Sequence, residues 1–156
     1  MNKLKYHVLT INDVALRQTL ANWYQQEWQL PVEKTLHLLT EVSSHKLQLQ
    51  LVLTVNDFPV ATAGLHQTVG IVKHYPALKK FDYWLALVYT IPSHRKKGYA
   101  TLLCQHMEKI AKQRGISKLH LFTATAQALY ASMNWKTIQH LQHADKAIAI
   151  MEKEIP

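Results

Sequence analysis

The sequence predicts an α/β fold in which residues 1–156 form one domain, with a mixed, mostly antiparallel central sheet and flanking helices. Two strand-like stretches near the C-terminus, at 136–142 and Lys146–Glu154, follow each other closely enough to pair as antiparallel neighbours. A strand–helix–strand unit, from 82–91 to Lys118–Thr123, is long enough for a parallel, right-handed crossover. The length of 156 residues suits a single core.

The N-terminal third predicts one strand and two helices. A short strand over 5–11 precedes a helix that ends near Trp28, and either Asn12 or Asp13 can cap its first turn. Apolar residues recur through this helix at helical spacing. A proline is tolerated in a first turn, so a second helix is expected over 31–42.

The middle of the chain predicts a hairpin, a loop and a long strand. Residues 48–55 alternate between polar and apolar and then become wholly apolar, which indicates a strand. A turn at 56–59 joins it to an antiparallel partner over 60–68. Residues 69–80 are expected to form a mobile loop, and the aromatic and aliphatic stretch 82–91 predicts the next strand.

The C-terminal half begins with a helix bracketed by two of the four glycines of the chain. An apolar face at helical spacing runs through 98–114, between Gly98 and Gly115. The strand Lys118–Thr123 and a short helix over 127–134 follow, before the final strand pair.

Composition favours a globular protein that attracts anions. The formal net charge is +8, and no stretch approaches the roughly 18 apolar residues of a membrane span. The N-terminus has no signal-peptide pattern. A single cysteine, Cys104, permits no internal disulfide and favours a cytoplasmic setting.

Three consecutive cations, Arg95, Lys96 and Lys97, precede Gly98 at the expected start of a helix. Positive charge is unfavourable there, because the helix dipole already places partial positive charge at its N-terminus. A bound phosphate would make the positive charge favourable at this position. Free N–H groups and a glycine allow an anion to approach the backbone closely. A solvated loop explains the same residues equally well. The chain has no G-x-x-x-x-G-K-[ST] and no G-x-G-x-x-G motif.

The segment LALVYTIPSHRKKGYATLL, followed later by AQALYASMNW, resembles the GNAT superfamily of N-acetyltransferases. The family signature, R/Q-x-x-G-x-G/A after a strand, is met by Arg95, Gly98 and Ala100. The later segment matches through Tyr130 and Trp135. The strong match covers about residues 83–135, and it implies the acyl-CoA N-acyltransferase fold.

The resemblance implies acetyl-coenzyme A as cosubstrate and a primary amine of a small molecule or protein as acceptor. The diphosphate would rest on the main-chain amides after Arg95, and the pantetheine would pair with the adjoining strand. A backbone N–H near Val88 or Tyr89 would stabilise the oxyanion, and Tyr130 would protonate the departing thiolate or donate a hydrogen bond to it. The implied coenzyme residues are Val88, Tyr89, Thr90, Arg95, Lys96, Lys97, Gly98, Tyr99, Ala100 and Thr101.

Three positions depart from the pattern of many family members. Thr123 stands in place of a coenzyme-contacting asparagine, and Asn134 and Lys96 stand where glycine is common. None of these changes removes the expected donor site, although the first removes one side-chain contact.

The residue that deprotonates the amine is not evident, because the strand at 82–91 has no acid in its middle. His66 is the candidate base, with Asp82 as another; either also fits an ordinary structural role. His140 and His143 have no partners at metal-ligand spacing, so no metal site is expected. Burial is the expected state of Cys104.

Two other functions remain open at this point. A non-catalytic module that senses acyl-coenzyme A would keep the same fold and donor site. A nucleic-acid-binding protein would explain the net charge of +8, but it would need a continuous basic stripe with aromatic platforms. No specific nucleic acid and no membrane are therefore expected as partners. Because many members of the family are dimers, a homodimer is a candidate assembly.

Overall fold

Seven strands form one sheet in the computed structural model, which describes all 156 residues. They are β1 (Leu4–Val8), β2 (Leu49–Val55), β3 (Phe58–His66), β4 (Trp84–Thr90), β5 (Lys118–Thr123), β6 (Lys136–His143) and β7 (Lys146–Glu154). Their order is β1-β2-β3-β4-β5-β7-β6, and every pair is antiparallel except β4 and β5. The predicted mixed, mostly antiparallel sheet is confirmed.

Helices cover both faces of this sheet. They are α1 (Val14–Trp28), α2 (Val32–Ser44), α3 (Tyr99–Gln113) and α4 (Gln127–Ser132). On one face, Leu20 of α1 and Leu39 of α2 cluster with Val52 of β2. On the other face, α3 buries an apolar stripe in the main core, which also holds the alternate leucines of β2. None of the helices combines the length and hydrophobicity needed to cross a bilayer.

Asp13 occupies the expected position at the start of α1, but its side chain does not cap the helix. Its carboxylate accepts hydrogen bonds from the backbone N–H of Thr10 at 2.7 Å and from the Thr10 hydroxyl at 3.0 Å. His7 lies 2.8 Å from the same oxygen. The pKa of Asp13 is lowered, chiefly by the Thr10 backbone hydrogen bond. The residue therefore fastens the turn between β1 and α1.

The segment expected to be a mobile loop is instead packed into two 3-10 helices, Gly70–Lys73 and Pro76–Lys80. Ile71 and Leu78 are buried in a small core around Trp84 of β4. The Tyr75 hydroxyl donates to a main-chain carbonyl of β6. The short helices were missed because four or five residues are too few to show a helical periodicity.

The parallel pair of β4 and β5 separates soon after it begins. Trp84 and His120 are the one registered pair between these strands. Beyond that point the main-chain groups of β4 lose their partners on this side, and the strands diverge. The resulting gap lies next to the N-terminus of α3, which follows β4 in the chain.

Candidate active site

The divergence of β4 and β5 opens a cleft of about 850 Å³. Its walls come from β4 after Trp84, the loop into α3 and the first turn of that helix, the end of β5 and the middle of α4. Glu27, Trp28 and Leu30 close it from the end of α1, and Lys146 and Ile148 of β7 reach it from the other side. The lining is mostly apolar, with its charged groups near the rim, as is usual for a small-molecule site.

The floor of the cleft contains a β-bulge in β4. Thr62 of β3 pairs with Tyr89, and Gly64 pairs with Ala86, so two residues of β4 face one residue of β3. Leu87, one of these two, has φ of +53°, a region that a side-chain-bearing residue adopts only at a cost. The Tyr24 hydroxyl donates to the Leu87 carbonyl oxygen at 2.8 Å and holds this conformation.

The loop between β4 and α3 presents an unbroken run of free main-chain donors. None of the amides of residues 96–101 donates a hydrogen bond within the protein, and the first paired amide of α3 is that of Leu102, which donates to Gly98 O at 3.1 Å. Lys96 and Gly98 have φ of +62° and +82°, so the chain turns sharply here. Such an arrangement of donors at a helix N-terminus is a ready anion site.

Gly98 is fully open on its side-chain face. A Cβ built there would meet no atom within 4 Å. A ligand can therefore approach the backbone closely at this position, and the positive φ independently favours glycine. Lys96, which stands where many family members have glycine, adopts a positive φ despite its side chain.

Arg95 connects the loop to β4 and α1. Its Nε donates to the Thr90 carbonyl oxygen at 2.8 Å, and its guanidinium lies 5.3 Å from the centre of the Tyr89 ring. Its Nη2 is 3.4 Å from Oε2 of Glu27, the only carboxylate in the cleft lining. The arginine is thus held at the rim with its charge partly exposed.

Tyr130 of α4 lines the cleft opposite β4 and is only 7% exposed. Burial raises the pKa of its hydroxyl, and nearby Cys104 raises it further, so the group is protonated at neutral pH. The Trp135 N–H donates to the Tyr130 carbonyl oxygen at 3.1 Å, and the two rings pack edge to face. This tight turn needs a left-handed residue at Asn134, where φ is +70°, which explains why asparagine can replace glycine there.

Thr123, at the end of β5, stands where many family members have an asparagine that contacts the coenzyme. Here its side chain makes a hydrogen bond within the protein. Its Oγ1 accepts a hydrogen bond from the Ala126 N–H at 3.0 Å and so fastens the turn between β5 and α4. Thr123 also lines the cleft.

His66 lies outside the cleft lining, on the α1 face of β3, and is 2% exposed. Its Nε2 is 3.3 Å from Oε1 of Gln50. A Cβ on Gly64 would lie 2.4 Å from the same nitrogen, so the glycine makes room for the imidazole. Burial lowers the pKa of His66 to about 4. The imidazole is neutral at pH 7 and is a weak proton acceptor.

Asp82 is also remote from the cleft. It lies on the rim of a second depression, of about 430 Å³, at the opposite end of β4 and β5. Both acidic and basic side chains line that depression, and it contains none of the free amides described above.

Cys104, His140 and His143 lie outside the cleft lining. Cys104 is buried in the main core, as expected, and burial raises the pKa of its thiol to about 12, so it is no nucleophile at neutral pH. His143 packs against His74 at 4.3 Å between ring centres. His140 is exposed on β6.

The structure brings most of the sequence-predicted coenzyme residues to one place. Nine of the ten line the cleft, and the exception is Lys97, which is exposed beside it. Sequence reasoning missed Glu27 as a cleft residue, and it missed the polar contacts of Tyr24 and Gln50 beneath the floor. No local pattern marks these residues, because their contacts join distant parts of the chain.

Three kinds of comparison relate the chain to known proteins. The profile of the acetyltransferase (GNAT) family matches residues 15–135. A comparison with curated protein sequences finds no significant match. Solved structures superpose over nearly the whole chain, and their low sequence identity means that this likeness concerns the fold.

An aminoglycoside 6'-N-acetyltransferase in complex with coenzyme A superposes with a TM-score of 0.79, at 17% identity over 97% of both chains. The aminoglycoside 6'-N-acetyltransferase from Enterococcus faecium gives 0.76, at 16% identity over 97% of both chains. The ribosomal-protein-S18-alanine N-acetyltransferase from Escherichia coli gives 0.71, at 17% identity over 99% of this chain and 94% of its own.

Proposed function

Because the chain belongs to the acetyltransferase (GNAT) family, whose cosubstrate is acetyl-coenzyme A, we propose that it transfers an acetyl group from this thioester to a primary amine by direct attack in a ternary complex. The acceptor is a small molecule or a protein amine. The observation that carries the proposal is the run of free amides at residues 96–101, in a loop that borders the cleft between the splayed strands.

These amides support a diphosphate site. Their donors have no internal partner, the helix dipole of α3 favours an anion, and the open face of Gly98 permits close contact. Arg95 and Lys96 supply positive charge at the rim. The pantetheine arm would then run along Val88–Thr90, on the edge of β4 that β5 leaves unpaired.

Acetyl transfer requires attack on the thioester carbonyl, cleavage of the C–S bond and protonation of the thiolate. The amine nitrogen attacks the thioester carbonyl carbon, and the oxyanion is stabilised by the Val88 or Tyr89 N–H. The C–S bond then breaks, and the thiolate takes a proton from the Tyr130 hydroxyl. The proton that the nitrogen loses as the amide forms passes through solvent and restores the hydroxyl. The position of Tyr130 in the cleft lining supports this role. Its raised pKa keeps the hydroxyl protonated at neutral pH but also makes it a weaker acid.

The incoming ammonium must first lose a proton to a base or to water. His66 was the sequence-based candidate, but its burial and its pKa of about 4 give that role little support. Glu27 lies in the cleft lining and is a second candidate, although it is paired with Arg95. The pH–rate profiles of His66→Gln and Glu27→Gln distinguish the two candidate bases. Replacing the residue that acts as the base should remove the acidic limb of the profile, whereas replacing the other residue should leave that limb in place.

The charge around the cleft favours an acceptor that is not a polycation. Lys146, Lys96 and Arg95 line it, against a single carboxylate. An amine that carries a carboxylate or phosphate therefore fits best. Equal turnover of spermidine, kanamycin and an acidic amine would contradict this choice.

A panel of amines tests the proposal. The protein is incubated with acetyl-coenzyme A and single amines or amine-bearing peptides, and free coenzyme A is detected with a thiol reagent. Amine-dependent thiol release, lost in Tyr130→Phe, is the expected result. Tight coenzyme binding without turnover of any amine would instead favour the acyl-coenzyme A sensing module.

A further inference from the structure

A buried chain of hydrogen bonds on the α1 face of the sheet ends on the bulged peptide of β4. Tyr24, Gln50 and Thr62 are each fully buried. Gln50 Nε2 donates to the Tyr24 hydroxyl at 3.0 Å and to Thr62 Oγ1 at 2.8 Å. The Tyr24 hydroxyl donates onward to the Leu87 carbonyl oxygen at 2.8 Å. The hydroxyl thus accepts one bond and donates one, so its direction is determined.

The planarity of the peptide unit decides what this contact controls. The Leu87 carbonyl and the Val88 N–H belong to one trans peptide, so they point in opposite directions. When Tyr24 holds the carbonyl oxygen on the α1 side, the Val88 N–H must point away from α1. Val88 lines the cleft and faces no β5 partner.

The conformation of Leu87 makes such an anchor necessary. Its φ of +53° is unfavourable for leucine, and a residue in such a region stays there only when surrounding contacts impose it. The bulge also leaves two residues of β4 opposite one residue of β3, so the ladder alone does not fix this peptide.

We propose that Tyr24, supported by Gln50 and Thr62, is a positioning residue that aims the Val88 N–H at the thioester carbonyl of acetyl-coenzyme A. The inference rests on the proposed function and selects Val88, rather than Tyr89, as the oxyanion donor. Tyr24 does not line the cleft, so it would act only through the plane of the Leu87–Val88 peptide.

The proposed role of Tyr24 is tested by amide NMR spectroscopy. Spectra are recorded for the wild type and Tyr24→Phe, each saturated either with acetyl-coenzyme A or with coenzyme A. A hydrogen bond to the thioester carbonyl exists only with the acetylated form, and it moves the donor amide proton downfield. In the wild type we expect this shift at Val88 on exchanging coenzyme A for acetyl-coenzyme A. In Tyr24→Phe we expect at least half of it to be lost, while the amides of 96–101 respond to either ligand as in the wild type.

Two further variants test whether the effect at Val88 is specific to the hydrogen bond of the Tyr24 hydroxyl. Tyr6→Phe removes a hydroxyl from a tyrosine that stacks on His106, away from the cleft, and should change nothing at Val88. Thr62→Val keeps the Tyr24 hydroxyl but loosens Gln50, so it should give a smaller loss, and it replaces Tyr24→Phe if that variant does not fold.

An undiminished Val88 shift in folded Tyr24→Phe, or a downfield shift at Tyr89 in place of Val88, would overturn the inference and leave the proposed function standing. An absence of any response at 96–101 in the wild type would overturn the proposed function, and the inference with it.

Discussion

Arg95 and Glu27 form an ion pair across the mouth of the cleft, with Nη2 and Oε2 3.4 Å apart. The pair joins the coenzyme loop to the end of α1, two segments that are far apart in the chain. It also places a carboxylate beside the position where the proposed diphosphate binds. In the proposed complex, Glu27 would compete with the diphosphate for the same guanidinium.

Glu27→Gln should strengthen coenzyme binding. The change removes a negative charge near the diphosphate and frees Arg95, and because both groups are partly exposed we expect a gain of about twofold to fourfold in affinity. Calorimetric titration at low salt measures it, and the gain should shrink in high salt. Glu41→Gln, in an exposed pair with His37 on α2, is the matched control. Weaker binding in Glu27→Gln would show that the pair assists the coenzyme.

Gly98→Ala and Gly115→Ala form a matched pair at the two ends of α3. The residues have φ of +82° and +76°, and an added Cβ meets no atom within 4 Å at either site. Both variants should lose about 1 kcal/mol of unfolding free energy, because alanine is strained in this region. Only Gly98→Ala should also lose coenzyme affinity, by about tenfold for a methyl group placed against the diphosphate.

Denaturant unfolding and calorimetry measure these two quantities. If Gly98→Ala and Gly115→Ala bind the coenzyme equally well, the diphosphate does not contact the loop at Gly98.

Tyr130→Phe should reduce the rate of acetyl transfer by about a hundredfold, since loss of a general acid removes that much. Coenzyme affinity should stay within twofold, because the ring and its packing on Trp135 are retained. Steady-state rates with the best amine of the panel, beside calorimetric titration, separate the two effects. A rate equal to that of the wild type would mean that another group or water protonates the thiolate.

His66 should make the fold less stable in acid. Its pKa is about 4 when folded and about 6.5 when unfolded, so between these values the unfolded chain binds more protons. Stability is therefore complete above pH 6.5 and falls as the pH is lowered towards 4. Between pH 7 and pH 5 the wild type should lose about 2 kcal/mol more than His66→Gln does.

Urea unfolding at the two pH values measures this difference, with His140→Gln as the exposed control. An equal loss in His66→Gln and the wild type would mean that His66 is not buried as a neutral group.

The sequence predicted the parts of the site that depend on neighbouring residues. Arg95, Gly98 and Ala100 lie within six residues and precede an apolar helical pattern, so both the loop and the helix could be recognised. The strands matched to within a few residues at their ends, and Lys118–Thr123 and Lys146–Glu154 matched fully.

The missed features depend on contacts between distant segments. Tyr24 and Leu87 are 63 positions apart, and leucine gives no signal of a positive φ as a glycine would. The hydroxyl contacts of Tyr24 join α1 to β2 and β4, so no pattern within α1 reveals them. The burial of His66 likewise depends on Gln50 of the neighbouring strand and on the missing side chain of Gly64.

Calorimetric titration of the wild type with acetyl-coenzyme A, beside adenosine diphosphate and random duplex DNA, tests the central claim most directly. Saturable 1:1 binding of acetyl-coenzyme A, tighter than that of the nucleotide, with only weak and salt-sensitive DNA binding, is the predicted result. An absence of coenzyme binding together with tight DNA binding would contradict the claim, and would mean that the net charge of +8 serves nucleic acid instead.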